Sequence, residues 1–395
     1  MHDNISDADW RSWIAVCALG IGSFAIVTAE LAPIGLLSLI SDDLGVPTGQ
    51  VGLIVTLYAW IAAGAAIASA VWLGGMPRRP LLVGLMLVLA ISGVAAAFAD
   101  RFASLMAARI VGAFAHGAFW AMIGTLGAQI VPKKNVGLAT SIIFGGVSAA
   151  SVLGVPMANF IGVASGWRMA FAIIGALSLL VAVAIWLTVP RLAGRGGIGA
   201  QALLRVLADR RFQKIFLATL LAITSHFMAF TYIEPFLIGP AGVSGHVVAP
   251  LLLAFGASGL AANVLTGAMI DLRLKAIVTS ALVLTCGALL ALAMSAPYLG
   301  VLGIGVLLML WGGAIAAILV GLQTWILKEA GQDALQASAI YVALFNAAIG
   351  LGAALGAAFL SATGLSGLLL LAALIIGVGV FAIAFLREPG PVPAE

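Results

Sequence analysis

Twelve apolar runs, most of about 20 residues or more, follow one another along this chain with short polar joints between them. Such a run, coiled as a helix, crosses ~30 Å of hydrocarbon. Hydrocarbon leaves backbone N–H and C=O groups no water to bond, so only helices and closed barrels span it. The runs are continuously apolar rather than alternating, which selects helices. Of the 395 residues, 63% are hydrophobic and 8% are charged. An ordinary globular chain carries about a quarter charged residues, so a soluble domain is excluded. The sequence therefore predicts an all-α integral membrane protein with 12 transmembrane helices. The runs cover about 13–40, 50–74, 80–99, 102–131, 136–163, 168–189, 213–238, 246–270, 276–296, 299–327, 335–362 and 364–386.

The polar joints differ in charge. Fifteen of the eighteen Lys and Arg residues fall on one side: Arg11, Arg78, Arg79, Lys133, Lys134, Arg191, Arg195, Arg205, Arg210, Arg211, Lys214, Arg273, Lys275, Lys328 and Arg387. The other side holds Arg101 and Arg168, and Arg109 lies inside a run. The positive-inside rule then places both termini in the cytoplasm. The acidic start, MHDNISDADWR, and the long apolar run after it do not read as a secretory signal. Cys17 and Cys286 both lie within apolar runs, so no disulfide framework is expected.

The longest joint divides the chain into an N-terminal six-helix bundle (1–190), a cytoplasmic linker (191–212) and a C-terminal six-helix bundle (213–395). Within the linker RLAGRGGIG reads as flexible. In QALLRVLADRRF, Leu203, Leu204 and Leu207 share a side amid arginines, which suits either a short interfacial helix or a solvated basic loop. Glycine-then-basic turns follow both the second run (Gly74 to Arg79) and the eighth (Gly267 to Arg273), and glycines recur in the fifth and eleventh runs. Two six-helix halves related as parallel repeats form a secondary-transporter architecture, with its solute site near the midplane between them.

The fourth run carries Arg109 and His116 within apolar sequence, and with Trp120 they fall within about 40° on a helix. A guanidinium in mid-membrane costs roughly 2.5–3.5 kcal/mol on insertion scales. Lining a polar cavity explains that cost; a structural arginine paired with a carboxylate is the competing account. Of fourteen acidic residues only Glu30 and Glu234 lie within runs. Glu30 lies about 15 Å from the outer end of the first run and Arg109 about 11 Å from that of the fourth. The two are placed to pair; alternatively, Glu30 carries the proton itself. His116 is the leading candidate for proton coupling, because imidazole changes charge near neutral pH. A neutral imidazole hydrogen-bonded within the bundle is the other reading. Glu234 precedes Pro235, which denies Thr231 its usual backbone donor and predicts a kink. A gate, a structural cap and proton carriage all suit Glu234. Tyr58, Trp120, His226, Phe230, Tyr232, Trp311 and Asn346 are the candidate solute-binding groups. Aromatic faces with amide and carboxylate groups suit a sugar, and would also suit a flat drug.

These residues carry a resemblance. Thr28-Ala-Glu30-Leu-Ala-Pro33-Ile-Gly35, Leu105-x-x-x-Arg109 and Gly154-Val-Pro156 resemble the drug/proton antiporter branch of the major facilitator superfamily. The likeness covers almost the whole chain. Ala113-Phe-Ala-His116, Tyr232-Ile-Glu234-Pro235-Phe236 and Phe345-Asn346 look most like bacterial sugar efflux transporters, while Phe119-Trp120-Ala121-Met122 and Thr324-Trp325-Ile326 are also similar to nucleoside efflux members. The resemblance implies two six-helix bundles in the major facilitator fold and a monomer in the bacterial inner membrane. It implies proton-coupled export of small neutral solutes, sugars or sugar-like compounds, by alternating-access antiport, with multidrug or purine nucleoside efflux as the alternative. The proton gradient supplies the energy, with no cofactor and no metal. Gly154, Pro156, Asp271 and Arg273 are the implied gating residues. The family's usual aspartate is missing around Gly74–Pro77, so the corresponding Asp271 would carry that role.

Other classes lack their signatures. There is no His-Glu-x-x-His, no nucleophile elbow and no Gly-Lys-Ser/Thr phosphate loop, which argues against an enzyme and an ATP-driven pump. No repeated filter or charged ring suggests a channel. The basic residues report topology rather than nucleic-acid binding.

Overall fold

The computed structural model describes residues 10–123, 126–132, 135–194 and 199–385, and among them every regular element is a helix. The spans are α1 (Trp10–Leu31), α2 (Thr48–Trp72), α3 (Arg78–Ala97), α4 (Phe102–Ile123), α5 (Val136–Ser165), α6 (Trp167–Thr188), α7 (Arg210–Phe230) and α8 (Gly245–Ile270). The remaining sequence forms two long helical stretches. Arg273–Ala330 is broken at Gly300 (φ 61°, ψ 177°), and Ala334–Ala384 at Gly364 (φ 67°, ψ 179°). Glycine alone adopts that left-handed backbone readily, so each stretch is two spans. They are α9 (273–299), α10 (301–330), α11 (334–363) and α12 (365–384). The predicted twelve-helix membrane protein is what the chain forms.

Two runs depart from a single helix, and a third is described in two pieces. The first, expected over 13–40, gives α1, a 3₁₀ turn (Ala32–Leu36) and a short helix (Leu37–Leu44). Pro33 causes this, since it offers no N–H to Ala29 four residues back. The seventh breaks after Phe230 and resumes as Ile233–Ile238, where Pro235 leaves the Thr231 carbonyl without its donor. The fourth, expected to continue to 131, is a helix over Phe102–Ile123 and a turn over Gly127–Ile130, with residues 124–125 outside the described residues.

Small residues bring backbones together in a repeated pattern. A Cβ on Gly146 of α5 would collide with Gly20 O of α1, and one on Gly352 of α11 with Thr224 O of α7. Likewise Gly117 of α4 abuts Ala62 O of α2, and Gly312 of α10 abuts Phe255 O of α8. The pairs 1–5 and 2–4 thus recur as 7–11 and 8–10, the relation expected of parallel repeats. Between the two bundles α2 packs on α11 and α5 on α8. Trp60 Nε1 donates to Ala347 O at 3.1 Å, Gly256 lies against Val152 and Ser151, and Gly49 lies against Ala357 and Leu360. These contacts run from mid-depth to the end that carries the α1–α2 turn.

The described part of the linker is fastened rather than free: Arg78 N–H donates to Leu192 O at 2.9 Å, and Gly194 packs on the Gly74–Gly75 backbone. Residues 195–198 lie outside the described residues. Beyond them Ala200–Ala208 is a helix, with Leu204 and Leu207 exposed. Asp209 caps α7 by accepting from Arg211 N–H at 2.9 Å, and the Arg211 guanidinium holds its carboxyl below the usual range.

Candidate transport site

The fourth helix turns Arg109 and His116 toward α1, as their spacing of two turns requires. Both are buried, at 2% and 1% exposure. Arg109 Nη2 donates to Ala29 O, the carbonyl that Pro33 leaves without an in-helix donor. The guanidinium also lies 4.3 Å from the Tyr58 ring centre and 5.3 Å from that of Phe171. Arg109 is therefore held by one carbonyl and two aromatic faces.

His116 Nδ1 lies 3.3 Å from Ile26 O, and Nε2 lies 3.5 Å from Glu30 Oε2. A carbonyl can only accept, so Nδ1 bears hydrogen and Nε2 is the nitrogen that titrates. A proton on either Nε2 or the Glu30 carboxyl makes the pair attractive; with none, two lone pairs face each other. At 3.5 Å the contact is close, but it is not a hydrogen bond among the described residues. Tyr58 meets the imidazole edge-on at 5.4 Å, and Trp120 lies 6.4 Å away. Glu30 Oε1, Thr28 Oγ1 and Arg109 Nε have no hydrogen-bond partner among the described residues.

The expected Arg109–Glu30 pair is not in direct contact in this arrangement. Among the described residues Glu30 Oε2 contacts His116 Nε2, and no nitrogen of Arg109 comes within 4.0 Å of its carboxylate, although the Arg109 charge acts on it from farther off. Matching depth along two helices did not reveal that Pro33 would present a backbone carbonyl to the guanidinium. The imidazole two turns on takes the carboxylate instead.

In the second bundle His226 sits in an aromatic cluster. Its ring is 5.0 Å from Phe230, 6.2 Å from Phe255 and 5.4 Å from Trp311, with Trp311 standing nearly perpendicular to the other rings. His226 Nδ1 and Trp311 Nε1 are buried without hydrogen-bond partners among the described residues. Asn346 Nδ2 donates to Val342 O at 2.9 Å, leaving Oδ1 unpartnered. Phe255 was not picked out from the sequence, because nothing in its own run distinguishes it from an ordinary apolar position.

Two candidates lie elsewhere. Tyr232 was grouped with the solute-binding residues, but it is fully buried between the bundles. Its hydroxyl donates to Ala353 O at 3.0 Å and occupies the space a Cβ on Gly52 would need. The break at Thr231 carries it off the face shared by His226 and Phe230. Glu234 Oε2 accepts the Ser38 N–H at 3.0 Å and is apart from the Glu30–His116 pair. Of the motif residues, Gly154 faces Thr28 and Pro156 lies within α5, while Arg273 marks the backbone break before α9 (φ −149°, ψ 47°). The side chain of Asp271 lies outside the described residues. Asn159, which the sequence reading passed over, donates Nδ2 to Gly35 O at 2.8 Å and so holds the turn after Glu30.

A model of the Major Facilitator Superfamily matches residues 18–341. A protein of Mannheimia succiniciproducens described as "Probable sugar efflux transporter" is 33% identical over 382 residues, covering 95% of this chain and 94% of that protein. Among solved structures, a bacterial homologue of the human lysosomal transporter Spinster, inward-facing and unoccupied, aligns with a TM-score of 0.77. It is 16% identical and covers 98% of this chain and 100% of that one. The nucleoside transporter NupG aligns with a TM-score of 0.76 at 15% identity, covering 94% and 99%. At such identities the two structures show the fold. The chain belongs to the major facilitator superfamily. It is a multi-pass membrane transporter and not an enzyme.

Proposed function

We propose that this transporter exports small neutral hydroxylated solutes, sugars or sugar-like compounds, in exchange for protons by alternating access. The observation that carries the proton half is the His116–Glu30 contact, with Nδ1 committed to Ile26 O and Nε2 turned to the carboxylate. A site that must take up and release one proton needs a titrating group whose partner changes with its state, and this pair supplies one. The solute half is supported by the 33% identical sugar efflux relative. It is also supported by the cluster of His226, Phe230, Phe255 and Trp311, whose unpartnered ring nitrogens and apolar faces suit hydroxyls and C–H surfaces. The scarcity of fixed charge in the spans disfavours strongly anionic solutes.

The test is flux in proteoliposomes over a panel of sugars, nucleosides and flat aromatic drugs, with and without an imposed pH gradient. Gradient-driven movement of sugars is the expected result; movement of drugs or nucleosides alone would replace the substrate class. In the same assay His116→Gln keeps hydrogen bonding but cannot titrate. It is predicted to retain solute–solute exchange and to lose accumulation driven by the gradient. Full gradient-driven transport by that variant would make His116 structural.

A further inference from the structure

Glu234 is buried, belongs to the second bundle and spends its carboxylate on the first. Its Oε2 accepts the N–H of Ser38 at 3.0 Å, a contact spanning 196 residues of sequence. Ser38 lies in the first turn of the short helix Leu37–Leu44, where N–H groups have no intrahelical acceptors and the helix dipole favours an anion. Another side-chain hydrogen bond between the bundles is the neutral one from Trp60 to Ala347. Tyr232, two residues before Glu234, fills the notch at Gly52.

We propose that Glu234 is the latch that holds the α1–α2 end of the transporter shut, acting as a positioning residue that fastens one bundle to a helix start on the other. The latch rests on the alternating-access part of the function proposed above and is independent of the Glu30–His116 proton site. Two local features made this contact possible: Pro33 breaks the first run, so a new helix start exists at Leu37, and Pro235 breaks the seventh, so Glu234 is free to leave the α7 face. Asp42, on the same short helix as Ser38, is the like charge that acts on Glu234. Asp43 is taken by Arg168 and Trp167, and His246, at the start of α8, is exposed and bonded to Ser244. The 3₁₀ turn Ala32–Leu36 carries no titratable group, and α11 carries only Tyr341, toward its other end.

The test uses the full chain with Cys17→Ser and Cys286→Ser and one reporter cysteine. Leu360→Cys reports the closed end, where Leu360 packs on Gly49, and Ser338→Cys reports the far end of α11. The rate of alkylation by a small maleimide in proteoliposomes is the readout. Glu234→Gln keeps an acceptor but removes the charge, and charge-assisted bonds are the stronger kind. It should raise the rate at Leu360→Cys about tenfold and lower the rate at Ser338→Cys. Asp42→Asn removes the opposing charge and should move both rates the other way. The His116→Gln background should show the same Glu234 effect, which separates failure of the latch from failure of the proton site. Unchanged rates in Glu234→Gln would overturn the proposal. So would a rise at both reporters, which would mean a loosened fold.

Discussion

At the scale of single residues, the site depends on what each polar group is left to bond with. Arg109 holds a carbonyl that Pro33 has orphaned and lies against the faces of Tyr58 and Phe171. A lysine keeps the charge but lacks the planar fork that can donate and stack at once. Arg109→Lys is therefore predicted to lower solute flux at least about tenfold with little loss of folded protein. Wild-type flux in that variant would show that charge alone suffices. The presence of Glu30, Arg109 and His116 as intramembrane titratable groups was legible in the sequence, because hydrocarbon makes them expensive. Their partners were not. Ile26 O and Ala29 O are backbone atoms, and no side-chain pattern marks which carbonyl will meet a side chain from another helix.

At the scale of elements, the prolines decide where helices end, and helix ends provide the groups that the site and the closure use. Pro33→Ala would give residue 33 an N–H for Ala29 O, extend α1 through the 3₁₀ turn and withdraw the acceptor from Arg109. The predicted outcome is a fall in flux of about tenfold with helical content by circular dichroism unchanged. Unaltered flux would mean that the break is dispensable. The kink before Pro235 was foreseeable because a missing N–H is a local, covalent fact. The outcome for Glu234 and Tyr232 was not, since the direction in which a broken helix resumes depends on the neighbour that receives it. Here the receivers are Gly52 on α2 and Ser38 beyond α1.

At the scale of the whole molecule, the number of spans and their order were readable because length and hydropathy are properties of each run alone. The face that each span turns to its neighbours was less so: Phe255 and Asn159 matter through contacts with helices remote in sequence. Orientation in the membrane is an expectation that rests on the basic joints. Single cysteines placed in the 191–211 joint are predicted to label with impermeant maleimide only when the cytoplasmic side is exposed. Labelling of that joint from outside intact cells would reverse the assignment.

The glycine seams of α1 with α5 and of α2 with α4 set backbone directly on backbone, with no flexible side chain between. Such seams leave no play for one helix to slide past its neighbour, because packed interiors resist small continuous deformation. Glu30 rides on the α1–α5 seam and His116 on the α2–α4 seam, so each is fixed within its own pair of helices. In the proposed exchange, the 3.5 Å contact between them then opens or closes only as one seam shifts against the other.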